Sequence, residues 1–266
     1  MHIRALSLSI VAVVLVTGCA SKGPSANPSF PISLDDARTT LLTIESNPKP
    51  LDRPLVILNG FLDPGIGGAM VSSIVRHHVS DTRIITVAYP LNFSFEECRK
   101  KVIEAVDRAY PSADATQTTQ VDVIGLSMGG LLARYCAAPG ADHKRLNVCR
   151  LFTVSAPHQG AVRAVALPPL LQMQLDMRPN SPFLHHLEQS EEEAHYEIIP
   201  YVRLEDDIIG PKYAAPKGSD PWWVPNQPLH HAHIGAATDP RILADILRRL
   251  RDEKPLTKNP PAPLPA

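Results

Sequence analysis

With 266 residues, 44% of them hydrophobic and 20% charged, and a formal net charge of −1, the chain has the make-up of one folded domain with a sizeable core. The near-neutral balance and the lack of a long basic run exclude a chain built to bind nucleic acid. Residues 1–4 supply a short cationic start, and residues 5–16 are almost wholly apolar. That run has the length of a secretory signal core and is too short to span a bilayer comfortably.

Val16-Thr17-Gly18-Cys19-Ala20 follows and resembles the lipobox of bacterial lipoproteins. The resemblance implies cleavage before Cys19 and lipidation of its thiol, so residues 1–18 are expected to be a signal peptide. Residues 19–31, rich in Ser, Pro, Gly and Asn, are expected to be a flexible tether. The place after Cys19 is Ala and not Asp, which in that family goes with outer-membrane sorting. The expected location is therefore the cell envelope, anchored to a membrane. Three cysteines remain: Cys98, Cys136 and Cys149. In an oxidising compartment an odd number allows one disulfide and one free thiol. Cys136–Cys149 is the expected pair, because one ends a helix and the other begins the next strand. No Cys-x-x-Cys pair exists, so a zinc site is not expected.

From residue 54 apolar runs and helical patterns alternate. Strands are expected at 54–59, 82–88, 121–125, 151–155 and 197–204, with Pro200 pointing to an edge or a bulge in the last. Helices are expected at 69–79, 95–110, 129–137 and 240–251. The second carries Phe95, Cys98, Val102, Ala105, Val106 and Ala109 on one face, with Ser94 and Glu97 placed to form a capping box. Alternation of this kind predicts an α/β fold, a mostly parallel central sheet flanked by helices, over residues 32–252. Residues 161–195 form an apolar-rich insertion (Val165, Leu167, Leu170, Leu171, Met173, Leu175, Met177), read either as a plain helical cap or as a lid with an acyl-binding wall. Ser181-Pro182 starts a helix in it. The Pro-rich residues 253–266 are expected to be disordered.

Gly125-Leu126-Ser127-Met128-Gly129-Gly130 follows an expected strand and opens an expected helix, the context a G-x-S-x-G nucleophile elbow requires. The flanking glycines let strand and helix pass closely, and the sharp turn lifts a hydroxyl above the sheet edge. The run from Gly125 to Tyr135 resembles the elbow of bacterial lipases and esterases of the α/β-hydrolase superfamily, and the resemblance extends over residues 55–250. It implies an α/β-hydrolase fold with Ser127 as nucleophile. By position it implies oxyanion donors from the amides of Phe61 and Met128, although Asn59 stands where that family often has His. Ser155-Ala156-Pro157-His158-Gln159-Gly160 is similar to a pocket-shaping stretch of the family, which makes His158 structural and not the base. In Glu205-Asp206-Asp207-Ile208-Ile209, Asp206 fits the spacing of the family's acid and Asp207 competes with it. In His230-His231-Ala232-His233-Ile234-Gly235, His233 precedes an aliphatic residue and Gly, as the family's catalytic His does. The chain order Ser127, Asp206, His233 is that of the superfamily.

The expected activity is carboxylic-ester hydrolysis on acyl or lipid esters through an acyl-enzyme, with no metal or organic cofactor implied. An acyltransferase or thioesterase would use the same residues. A non-catalytic lipid-binding lipoprotein is the alternative of another class.

Overall fold

The computed structural model describes residues 26–139, 144–161, 163, 171–191 and 195–265. The signal and lipobox residues, Cys19 among them, and Val165, Leu167 and Leu170 of the insertion lie outside these. Among the described residues no helix is long and apolar enough to cross a membrane.

Six strands, β1 (Leu55–Leu58), β2 (Ile84–Val87), β3 (Val121–Leu126), β4 (Val148–Val154), β5 (Glu197–Arg203) and β6 (Trp222–Val224), form one sheet in the order β2-β1-β3-β4-β5-β6. Every pairing is parallel. β1 and β3 are buried at every position, as expected of strands covered on both faces. One face packs under α1 (Leu34–Glu45), α2 (Ile66–His78) and, much later in the chain, the closing helix at Pro240–Leu250. The other packs under α3 (Phe95–Ala109) and α4 (Met128–Ala137). The sequence of α3 accounts for its start, since Ser94 and Glu97 form the expected capping box. Between β4 and β5 lie α5 (Gln172–Asp176) and α6 (Pro182–Glu191). After β6 come the short α7 (Ala232–Ala236) and the closing helix α8 (Pro240–Leu250), which is capped by Asp239 with Pro at its first position.

Several expectations are corrected. Pro200 does not lie on an edge strand, since β6 pairs outside β5. That pairing begins only at Tyr201↔Trp222, so Pro200 sits where β5 still lacks an outer neighbour and its missing N–H costs no ladder bond. The Pro-rich tail is not disordered. The Asp245 carboxylate accepts from the amides of Leu256 (2.5 Å) and Thr257 (3.1 Å), and Trp223 Nε1 donates to Ala262 O (3.0 Å). The end of the expected tether is also docked. Asn27 Nδ2 donates to Trp223 O at 2.6 Å, and Phe30 is buried against Tyr201 with ring centres 6.3 Å apart. Cys136 and Cys149 are not bridged, and all three described cysteines are free thiols. Cys136 and Val148 belong to the α3/α4 core, whereas Cys149 falls at an irregularity of β4, where the register steps from Val121↔Val148 to Asp122↔Arg150, and it is not part of that core. The described part of the insertion is packed against that same layer. Met173, Met177, Leu184 and Leu187 are buried there, and Phe183 stacks on Phe95 at 4.0 Å.

Candidate active site

In a parallel sheet all strands present their carboxyl ends at one edge, and a crevice opens where the chain order reverses. Here that place is between β1 and β3, and Ser127 stands at the end of β3. Its backbone has φ 51° and ψ −122°, a conformation an L-residue adopts only when its surroundings enforce it. They do so through close approach. A Cβ on Gly125 would lie 2.5 Å from Gly130 Cα, and one on Gly129 would lie 2.7 Å from Asn59 O and closer still to Leu58 O. Strand, turn and helix can therefore cross only with glycine at both places. The Ser127 side chain does not cap α4, so its hydroxyl is left for the cleft.

His233 Nε2 lies 3.0 Å from Ser127 Oγ. On the far side of the ring, His233 Nδ1 is 2.9 Å from Asp206 Oδ2 and 3.1 Å from Oδ1. Asp206 is 1% exposed, and its Oδ1 also accepts from the amides of Ile208 and Ile209, each at 3.1 Å. Burial pushes the Asp206 carboxyl up. The hydrogen bond and charge of His233, the Ile209 amide and the nearby Ser155 hydroxyl outweigh that and leave it below its ordinary value. Asp207 points away into solvent and pairs with Arg163. His230 and His231 are exposed, and Gly235 N donates to His231 O in the turn that starts α7. Three residues separated by up to 106 positions thus come into one hydrogen-bonded line. Their neighbours Asp207, His230 and His231 do not join it.

The expected oxyanion residues flank the same cleft. Gly60 is so close to Ser127 that a Cβ on it would sit 3.4 Å from Ser127 Cβ. Phe61 lines the cleft, and Met128 is the buried first residue of α4. Asn59 braces this end of β1. Its Nδ2 donates to Val87 O at 2.9 Å, its Oδ1 accepts from Gly68 N at 2.7 Å, and Tyr89 donates its hydroxyl to Asn59 O. The turn beyond is held by Asp63, whose carboxylate accepts from the amides of Gly65, Ile66 and Gly67 at 2.8–3.0 Å. Asp63-Pro64-Gly65 is an Asx-turn signature, so this brace was legible in the sequence. Arg203, which pairs with the buried Asp239 at 2.7 Å and packs on Gly235 of α7, carries no such local signal.

His158 is 1% exposed and lies away from this line. Its Nδ1 accepts from Arg134 Nη1 at 3.1 Å and its Nε2 faces Thr153 Oγ1 at 2.9 Å. Burial first, then the Arg134 charge, hold its pKa far below the usual histidine value. Among the described residues no group of three His, Cys, Asp or Glu side chains is placed to hold a metal.

The cleft has a volume of about 330 Å³ and includes Leu126, Val154, Ile208, Ile234 and Ala237 among its walls. None of the described residues of α5 or α6 lines it. Leu62, Ile66, Met70, Leu91, Phe93, Leu229 and Ile234 are exposed apolar side chains on segments that leave the carboxyl ends of β1, β2 and β6.

A family model described as a PGAP1-like alpha/beta domain matches residues 95–185, about a third of the chain, which include the elbow but neither Asp206 nor His233. No curated protein matches the sequence. Among solved structures, the phospholipase PlaB from Legionella pneumophila is similar at a TM-score of 0.52 and 10% identity, over 74% of this chain and 59% of that one. The Bacillus licheniformis lipase BlEst2 is similar at 0.52 and 11% in its mature form, over 79% and 94% of the two chains. In its propeptide form the values are 0.53 and 13%, over 82% and 54%. The chain spans about three-fifths of the length of the Legionella phospholipase. At these identities the likeness shows the fold, and the fold is that of the α/β-hydrolases.

Proposed function

We propose that the chain is a carboxylic-ester hydrolase acting on acyl or lipid esters. The observation that carries this reading is the line from Ser127 Oγ through His233 to Asp206. Such a line lets Ser127 attack an ester carbonyl while His233 Nε2 takes its proton. Asp206 holds the Nδ1–H tautomer and stabilises the imidazolium. The amides of Phe61 and Met128 are the donors for the oxyanion, with α4 adding its N-terminal dipole. His233 then returns the proton to the leaving alcohol, and water attacks the acyl-Ser127 ester with His233 again as base. The exposed apolar side chains around the carboxyl edge suit a greasy acyl group. Lipidation of Cys19 belongs to the same proposal and would keep the domain at a membrane.

A fluorophosphonate probe together with p-nitrophenyl esters of rising chain length tests the reading. Wild-type protein should label and turn over, and Ser127→Ala should do neither while keeping its fold. Ser127→Ala protein that still labels or hydrolyses after clean purification overturns it. Loss of palmitate labelling in Cys19→Ala tests the anchor, and persistence of the label refutes it.

A further inference from the structure

Ser155 follows β4, which lies between β3, the strand of Ser127, and β5, the strand that leads to Asp206. Its amide donates to Tyr201 O on β5 at 2.8 Å. Its φ is 52°, in the left-handed region that a residue with a side chain avoids unless its surroundings hold it there. It is 1% exposed, it lines the Ser127 cleft, and its Oγ makes no aligned hydrogen bond among the described residues. A strained backbone and an unsatisfied buried hydroxyl are each unfavourable, and both fall on one residue beside the proposed catalytic line.

The neighbouring acceptor has room for a donor. Asp206 Oδ1 is occupied by Ile208 N and Ile209 N, whereas among the described residues Oδ2 receives only His233 Nδ1. A carboxylate oxygen accepts two hydrogen bonds, so Oδ2 keeps one site open. The Ser155 hydroxyl is close enough to Asp206 to favour its charged form.

We infer that Ser155 is a positioning residue whose hydroxyl turns to donate to Asp206, completing the shell that holds this carboxylate ionised and aimed at His233. The inference rests on the hydrolase reading above. The hydroxyl proton stays on Ser155 throughout, and no bond is made or broken there. The other titratable groups around the pair are already engaged or turned away. Asp63, from the turn after β1, is taken by three amides. Glu205 and Asp207 are exposed, the latter paired with Arg163. His158 faces Arg134 and Thr153, and Asp239 holds Arg203 and Arg241.

The test uses the full chain as wild type, Ser155→Ala and Ser155→Gly. Glycine relaxes the φ of 52° and alanine does not, so an effect common to both belongs to the hydroxyl. The rate of a soluble p-nitrophenyl ester and the rate of fluorophosphonate labelling are followed from pH 4 to pH 9. Without the donor, the Asp206 carboxylate becomes more basic and holds the imidazolium proton more tightly. The acid limb of kcat/KM should therefore move up by roughly half a pH unit in both variants. The plateau kcat should fall roughly 3- to 10-fold as the carboxylate loses one of its restraints, with KM unchanged. An acid limb that overlays the wild type, a shift in the alanine variant alone, or a change confined to KM overturns the inference. Should the alanine variant not fold, the glycine variant carries the test alone. A wild-type protein that neither hydrolyses nor labels sinks the hydrolase reading itself. An unmoved limb in an active enzyme sinks only the role of Ser155.

Discussion

Replacing Asp206 by Asn changes one atom and leaves the packing intact, and the structure says how that atom acts. Oδ1 of Asp206 is held by two backbone donors, Ile208 N and Ile209 N, while Oδ2 faces His233 Nδ1. An amide oxygen keeps two donors satisfied and an amide nitrogen does not, so the Asn oxygen stays on the Ile208 and Ile209 amides. The amide NH2 is then aimed at Nδ1, which must become an acceptor. The imidazole proton moves to Nε2 and points at Ser127 Oγ, 3.0 Å away, and the base is lost. A wrong tautomer in such a site costs about 10⁴ in kcat, or about 5.5 kcal/mol of transition-state stabilisation. Asp207→Asn is the control. It breaks only the exposed pair with Arg163, of a kind that contributes at most ~1 kcal/mol to stability, and should keep turnover within about twofold. The assay is kcat on a p-nitrophenyl ester, with thermal unfolding to verify that both variants fold. Asp206→Asn keeping more than a tenth of wild-type kcat, or Asp207→Asn falling as far, would refute the reasoning.

Gly129→Ala should destabilise the chain by about 2–3 kcal/mol in denaturant titration and suppress activity, because its Cβ meets the Leu58 and Asn59 carbonyls. Wild-type stability would show that the elbow can relax. His158 is kept neutral in the fold by burial and the Arg134 charge, so below about pH 6.5 only the unfolded chain takes its proton. Stability should therefore decline as pH falls, by about 1.4 kcal/mol at pH 5.5 relative to the neutral plateau, and a flat stability profile over that range would be inconsistent with a neutral buried His158. Denatured, unreduced mature protein, with the Cys19 thiol lipidated, should titrate three thiols at Cys98, Cys136 and Cys149. In the native state only the half-buried Cys149 should react readily, since burial raises the other two, Cys98 to about 12. A count of one after denaturation would restore the Cys136–Cys149 bridge.

The parallel sheet and its flanking helices were legible in the sequence because burial on two faces writes itself as continuous apolar runs alternating with helical spacing. Ser127 was singled out for a different reason, since a tight strand-to-helix turn restricts the residues flanking it to small ones. His233, and Asp206 with Asp207 as its competitor, were singled out by their resemblance to the family's motifs. β6 was not legible, since three residues, Trp222, Trp223 and Val224, are too few to show a period. Composition pointed the wrong way for residues 27–31 and 253–265. Proline and small polar residues mark a chain that does not order itself, but the Asp245 carboxylate, the Trp223 indole and the Trp223 carbonyl supply partners from elsewhere that order it. Asp122 is a charged residue inside the fully buried strand β3. Arg150 on β4, 28 residues on, pairs with it at 2.6 Å. The choice of Asp206 over Asp207 in contact with His233, and the place of Ser155 beside them, belong to the tertiary structure. Neighbouring side chains on a turn diverge, and which of them meets a partner depends on how β4, β5 and α7 stack. That arrangement is set by long-range packing, which no local pattern encodes.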